Sequence, residues 1–188
     1  MIYTKYMIDN RENDLYVIDN FLNETEIETY LEYVKNQSES QIKKAFNNQT
    51  NFFNAKLENS ELSQTFYKKV ENINIVDKSD MNRKPIKACN YVFMAKYNPD
   101  GNFNLHTDTG SHFLPDEISY QTLLIYLNND YTGGETTFYN QNFEKKVVVI
   151  PKKGTAILFK IDLWHQGEKV LKGRKYWIGT EIVWSTNK

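Results

Sequence analysis

Hydrophobic positions change their period near residue 87. Ahead of that point, Ile27, Tyr30, Leu31 and Val34 follow the i, i+3, i+4, i+7 rhythm of an amphipathic helix. Asn23 stands where a helix N-cap belongs and Glu26 three residues on, the pair a capping box requires. Leu22 and Ile27 flank that cap at staple spacing, and residues 14–22 (LYVIDNFLN) read as a short strand leading into it. A second helical stripe runs through Leu62, Phe66, Val70 and Ile73. Between the two lies a polar, irregular stretch from Asn36 to Asn54, long for a simple connector.

Beyond residue 87 the apolar runs become short and rich in β-branched and aromatic residues: ACNYVFMAKY, YQTLLIYLN, ETTFY, KVVVI, TAILFK and KYWIGTEIVW. Turn signals separate them, at Asn98-Pro-Asp-Gly, Thr132-Gly-Gly, Pro151-Lys-Lys-Gly and Lys172-Gly. Closely spaced strands of this kind predict a sandwich or small barrel. The expected architecture is mainly β with flanking helices (α+β). Residues 1–188 form one domain, 1–86 a helical support covering one face and 87–188 the β-core.

Composition narrows the chemistry. One domain is the natural content of 188 residues, and such a chain buries about 70% of its unfolded surface without help from disulfides. The single Cys89 excludes a disulfide framework and any cysteine-based zinc site. Imidazole ligation is limited to His106, His112 and His165. Twenty-three basic against twenty-four acidic residues offer no global field for a nucleic-acid backbone. The opening MIYTKYMIDNREND has no apolar h-region, and no run approaches 18 apolar residues, so a cytoplasmic location is expected.

Within those limits one constellation carries chemistry. In extended backbone, residues i and i+2 project from one face, so His106 and Asp108 of the His-Thr-Asp string can converge. His165, at the end of an apolar strand, supplies a third ligand. Two histidines and one carboxylate make the facial triad of non-haem Fe(II) oxygenases, with coordination positions left open. An HxD pair alone is common in solvated loops; here the surroundings add to it. Ten residues past His165, Lys175 opens another strand. A cation there suits the C5 carboxylate of an iron-chelating 2-oxoglutarate, and Tyr97 and Tyr126 offer hydroxyls to share the task.

These residues resemble the Fe(II)/2-oxoglutarate-dependent dioxygenases of the prolyl 4-hydroxylase type. The similarity is generic over VIDNFLNETEIETYL and specific over YNPDGNFNLHTD, QTLLIYLNNDYTGGETTFY and PKKGTAILFKIDLWHQGEKVLKGRKYWIGTEIVW. Tyr126-Leu127-Asn128 followed by Gly133-Gly134-Glu135-Thr136 and Phe138 matches the family pattern, as do Val170, Gly173 and Lys175 behind His165. The resemblance implies a double-stranded β-helix with His106, Asp108 and His165 on iron and Lys175 on 2-oxoglutarate. Tyr97 and Tyr126 would line the cosubstrate pocket, with Thr122 as a further wall residue. It also implies O₂ as oxidant, ascorbate as a candidate reductant, and a prolyl residue of a peptide or protein as substrate.

Departures from the pattern sharpen the expectation. Lys169 replaces a proline frequent at its position, and Arg174 competes with Lys175 as the gripping cation. Strand alternation permits only one of the two to face inward, and the spacing of Val170 and Gly173 selects Lys175. Thr180 stands where the nucleic-acid demethylase branch places an arginine, which argues against a nucleic-acid substrate. The readings for the remainder are plainer. His112 is an exposed loop residue, Lys169, Lys172 and Arg174 are a solvated hairpin, and Trp164 and Trp184 are packing, with Trp177 sharing the parity of Lys175. Residues 36–54 and the 110–118 loop are candidate substrate-recognising walls. Lysyl or small-molecule hydroxylation is the alternative within this chemistry, and a non-catalytic β-barrel binding module the alternative outside it.

Overall fold

The computed structural model describes residues 2–8, 11–37, 43–44, 51–73 and 83–185. The chain runs β1 (Ile2–Ile8), β2 (Arg11–Asp19), α1 (Glu24–Asn36), β3 (Lys43–Lys44), β4 (Phe52–Glu58), α2 (Ser60–Glu71), β5 (Pro85–Ala88) and β6 (Tyr91–Tyr97). It continues through β7 (Phe103–His106), β8 (Phe113–Leu114), β9 (Glu117–Tyr126), β10 (Thr132–Gly133), β11 (Thr136–Tyr139) and β12 (Lys145–Val149). The last elements are β13 (Ala156–Lys160), β14 (Trp164–Gly167), β15 (Val170–Lys172) and β16 (Lys175–Ser185).

The strands form a major sheet in the order β1-β2-β13-β9-β16-β6-β4-β3, with β5 added on β16 and β8 on β9. A minor sheet runs β12-β11-β14-β7, and β10 pairs with β15 as a separate ribbon. The pairings are antiparallel, and the two sheets make a double-stranded β-helix, as the resemblance implied.

Alternation along each strand of the major sheet divides its residues between two cores. Tyr16, Ile18, Met94, Leu123, Ile125, Leu158, Tyr176, Ile178, Ile182 and Trp184 share the outer core with Ile27, Val34, Phe66 and Val70 of the helices. The opposite face brings Leu15, Tyr126, Ile157 and Phe159 against Phe138 and Val149 of the minor sheet. α1 starts as expected: the Asn23 side chain accepts from the Glu26 amide at 2.9 Å, and Glu26 accepts from the Asn23 amide at 2.9 Å. The Tyr30 and Phe66 rings meet edge to face at 5.4 Å, tying α1 to α2. No helix among the described residues is long and apolar enough to cross a membrane.

The front of the chain is not only a helical support. β1, β2 and β4 all join the major sheet, so the sheet crosses the expected boundary at residue 86. β1 escapes a reading by pattern because most of its side chains lie in solvent at the sheet edge. β4 occupies the end of the stretch expected to be irregular. Its alternation is in fact clean, with Phe53, Ala55 and Leu57 in or against the outer core and Asn54 and Lys56 facing the other way. Residues 38–42 and 45–50 of that stretch lie outside the described residues.

The centre of the major sheet is packed too tightly for one methyl group. A Cβ on Gly179 of β16 would lie 2.1 Å from the Leu123 carbonyl oxygen of β9. Gly179→Ala must therefore force two central strands apart, and a loss of about 3 kcal/mol is expected. A urea unfolding curve checks this: the midpoint falls while the slope stays unchanged.

Candidate metal centre and cosubstrate pocket

His106 closes β7 and is the register partner of His165 on β14. The cross-strand pair brings the two rings to 4.3 Å between centroids. Asp108 follows two residues after His106, held by its amide donating to the Ile161 carbonyl at 2.8 Å. Its Oδ1 lies 3.4 Å from His106 Nε2 and 3.9 Å from His165 Nε2, and one ligand atom from each residue fits within 4.8 Å of the others.

Both histidines are oriented in the same way. His106 Nδ1 lies 2.7 Å from the Asn104 carbonyl and His165 Nδ1 2.9 Å from the Leu163 carbonyl. A carbonyl only accepts, so each Nδ1 carries the proton and each Nε2 keeps its lone pair turned toward Asp108. Phe103 packs on His106 at 4.0 Å, and Phe138 and Phe159 pack on His165 at 5.7 and 4.7 Å. Burial pushes the His165 imidazole below its ordinary range, against the attraction of Asp108, and so favours the neutral ring a metal needs. For Asp108, burial acts to raise the carboxyl. The two imidazoles and the Thr122 hydroxyl outweigh it and lower the carboxyl, and of these the Thr122 hydrogen bond persists when both rings are neutral.

Thr122 borders the cavity, as expected, and has a second task. Its hydroxyl donates to Asp108 Oδ2 at 2.6 Å, occupying one carboxylate oxygen and leaving Oδ1 toward the histidines. Two neutral imidazole nitrogens and one carboxylate oxygen, converging with one side open to a cavity, fit an Fe(II) centre of the facial-triad kind.

Lys175 lies on the wall of the same cavity and is only 2% exposed. Its Nζ donates to the Gly134 carbonyl at 2.7 Å and stands 5.3 and 5.2 Å from the Tyr97 and Tyr126 ring centroids. Gly133 and Gly134, expected to form a tight turn, both adopt positive φ (73° and 71°), which glycine tolerates at no steric cost. That conformation presents the Gly134 carbonyl to the lysine, a role the glycine pattern alone does not reveal. Burial pulls the Lys175 ammonium down to about 7, opposed by the nearby Glu135 carboxylate. Arg174 faces solvent, as alternation requires.

The three tyrosine and tryptophan candidates separate by position. Tyr97 lines the cavity, with the Trp177 side chain on its hydroxyl, and burial raises the phenol so that it remains a proton donor. Trp177 lines the cavity as its parity suggested. Tyr126 stands behind the wall: its hydroxyl donates to Thr136 Oγ1 at 2.7 Å, and Thr136, not Tyr126, borders the cavity. His112 is not a free loop residue. Its Nε2 sits 2.7 Å from Glu117 Oε2, which also pairs with Lys87, and it does not border the cavity.

The cavity measures about 320 Å³ and continues past the triad to Asn54, Lys56, Phe93, Ser111 and Glu181. Sequence reasoning passed over Asn54, Lys56 and Glu181 as individual residues. The period-2 pattern of β4, and the parity of Glu181 with Lys175, were the signals that would have found them.

Comparisons with known proteins agree with this geometry. Residues 92–181 match the model of the 2OG-Fe(II) oxygenase superfamily. That segment contains His106, Asp108, His165 and Lys175, and the resemblance read from the sequence is borne out. No curated protein matches the chain. Among solved structures, the viral collagen prolyl hydroxylase of Paramecium bursaria Chlorella virus-1, in its 2OG complex, is similar at 20% identity and TM-score 0.62. The alignment covers 93% of this chain and 97% of the viral one. A Trichoplax adhaerens prolyl hydroxylase, solved with a hypoxia inducible factor peptide fragment, is 20% identical at TM-score 0.67, covering 90% and 83%. OsALKBH1 is 9% identical at TM-score 0.69, covering 96% and 99%. At these identities the likeness concerns the fold.

Removing the Thr122 hydroxyl tests the orientation of Asp108. Thr122→Val should weaken Fe(II) or Mn(II) binding by about tenfold or more, measured by metal titration, with the fold intact by circular dichroism.

Proposed function

We propose that this chain is an Fe(II)- and 2-oxoglutarate-dependent hydroxylase acting on a residue of a peptide or protein, with a prolyl residue as the first candidate. One observation carries the reading. The three converging donor groups line the same cavity as Lys175, the one buried lysine or arginine among the described residues. A metal site and a buried ammonium on one wall suit a cosubstrate with a chelating end and a carboxylate end. The prolyl assignment draws on the sequence resemblance and on prolyl hydroxylases among the similar folds.

His106, Asp108 and His165 would hold the iron, and with 2-oxoglutarate and O₂ it supplies the oxidising power that turns a substrate C–H into C–OH while releasing succinate and CO₂. The chain's own contribution is positional. Lys175 receives the C5 carboxylate, and the Tyr97 hydroxyl stays protonated beside it to donate a hydrogen bond. Phe103, Phe138 and Phe159 exclude water from the ligand face. Asn54 of the polar stretch and Ser111 of the 110–118 loop border the cavity and are placed to meet the substrate.

The direct test is succinate formation from 2-oxoglutarate with Fe(II), with and without ascorbate, against proline- and lysine-containing peptides. Mass spectrometry of the peptides reads the +16 Da product. His106→Ala should lower turnover at least a hundredfold; wild-type rates in that variant overturn the metal assignment.

Lys175 makes a second prediction in pH. Its folded pKa is about 7, and a bound carboxylate favours the charged form, so binding above pH 7 takes up a proton. Affinity for 2-oxoglutarate, measured with Mn(II), should be flat below pH 7 and fall by up to tenfold per pH unit above it. Calorimetry in buffers of different ionisation enthalpy should show about one proton absorbed at pH 8 and none at pH 6. Lys175→Met should lose both the uptake and most of the affinity. For stability the pH trend is opposite to that of affinity. Between pH 7 and the ordinary lysine value the unfolded chain carries the extra proton, so this residue's contribution to unfolding free energy rises with pH.

A further inference from the structure

Besides Lys175, Asp108 and Lys56, the cavity has a further charged residue, farther along the strand face that carries Lys175. Glu181 of β16 is 4% exposed and borders the cavity. It lies six positions along the strand from Lys175, about 20 Å. Its cross-strand register partner is Thr122, whose hydroxyl holds Asp108. The triad therefore abuts the Glu181 end, and the buried ammonium lies at the other.

The donors on Glu181 are all uncharged. Oε2 accepts from the Ser119 hydroxyl at 2.6 Å, the Ser111 amide at 2.8 Å and, more weakly, the Cys89 thiol at 3.8 Å. Oε1 accepts from the Ser111 hydroxyl at 3.2 Å, and the Tyr91 hydroxyl stands beside the same carboxylate; a carboxylate has about four acceptor sites, so capacity remains. No ion pair to Glu181 occurs among the described residues. The Lys56 ammonium, on the exposed rim, reaches the Ser111 hydroxyl at 3.1 Å and lies 3.6 Å over the Tyr91 ring without reaching the carboxylate. A buried carboxylate whose direct donors are neutral, with the nearest ammonium one hydroxyl away, favours a cation in direct contact, and here it borders a cavity. Phe93 and Trp177 add aromatic faces to the same wall, surfaces that also attract cations.

We infer that Glu181 is a specificity-determining residue and that the substrate presents an ammonium group to it, carried by a residue flanking the prolyl target or by the target residue itself. The inference rests on the oxygenase reading only for calling the occupant a substrate; the binding site itself does not. The cavity is then polar end to end, the cosubstrate's carboxylate on Lys175 and the substrate's positive nitrogen on Glu181, with the metal site between. A lysyl side chain in a peptide and a free alkylamine both carry this group.

Isothermal calorimetry on the full chain, metal-free and loaded with Mn(II) and 2-oxoglutarate, provides the test. The probes are Ac-Ala-Lys-Ala-NH₂, the same peptide with norleucine for lysine, n-pentylamine and 1-pentanol. Each charged probe should bind on the order of tenfold more tightly than its neutral counterpart, and Glu181→Gln, which keeps the shape, should erase that ratio. Tighter binding of the peptide assigns the ammonium to a residue in a polypeptide; tighter binding of pentylamine assigns it to a small molecule. Equal binding of charged and neutral probes to the wild-type chain overturns the proposal, as does no binding of either charged probe at millimolar concentration. The wild-type ratio stands whether or not the variant folds, which a thermal melt establishes. Succinate formation is scored separately. A cation preference without succinate keeps the Glu181 site and removes the oxygenase reading, and succinate without a cation preference does the reverse.

Discussion

The antiparallel register between β9 and β16 organises the interior. It sets Glu181 opposite Thr122 and Trp177 opposite Tyr126, while β6 on the other edge sets Tyr97 opposite Lys175. Alternation then sends Tyr176, Ile178, Ile182 and Trp184 outward against the helices and leaves Lys175, Trp177 and Glu181 on the cavity side. A slip of one residue would exchange the two faces, burying charges under the helices and emptying the cavity wall of polar groups. The apolar outer face, packed on α1 and α2, therefore enforces the chemistry of the inner one. Gly179 is the point where the register is tightest, since the β9 backbone fills the space its side chain would take.

A second pairing, between β7 and β14, does for the minor sheet what β9 and β16 do for the major one. By setting His106 opposite His165 it aligns two imidazoles whose outer nitrogens are spent on backbone carbonyls. Asp108 completes the group from a loop, and its second oxygen is spent on Thr122, from the other sheet. The donor set is thus assembled across the gap between the sheets, with each donor atom singled out by a hydrogen bond behind it. Such preorganisation reduces the ordering required when a ligand arrives.

Much of this was legible in the strand-rich part of the sequence. The strands from β6 to β16 that carry the cores were visible as apolar runs between turn signals, and the triad residues and Lys175 stood out by type and spacing. β1 was invisible because an edge strand in solvent has little to alternate. β4 was overlooked because its clean alternation adjoins a polar, irregular stretch. Tyr126 was placed on the cosubstrate pocket because spacing gives the face a side chain occupies and not the partner it finds there; its hydroxyl is committed to Thr136, behind the cavity wall.

Local order in the chain determined the elements, the cap at Asn23, the inward parity of Lys175 over Arg174, and the residue types able to bind a metal. Those properties depend on neighbours within a few positions, through backbone period and side-chain chemistry. Only the tertiary structure decided that His106 meets His165 and that the Gly134 carbonyl meets the Lys175 ammonium. It alone made Glu181 a buried carboxylate at the far end of the same wall. Each of those depends on strand pairing between distant segments, and on burial, which strengthens or strands a charge according to what surrounds it.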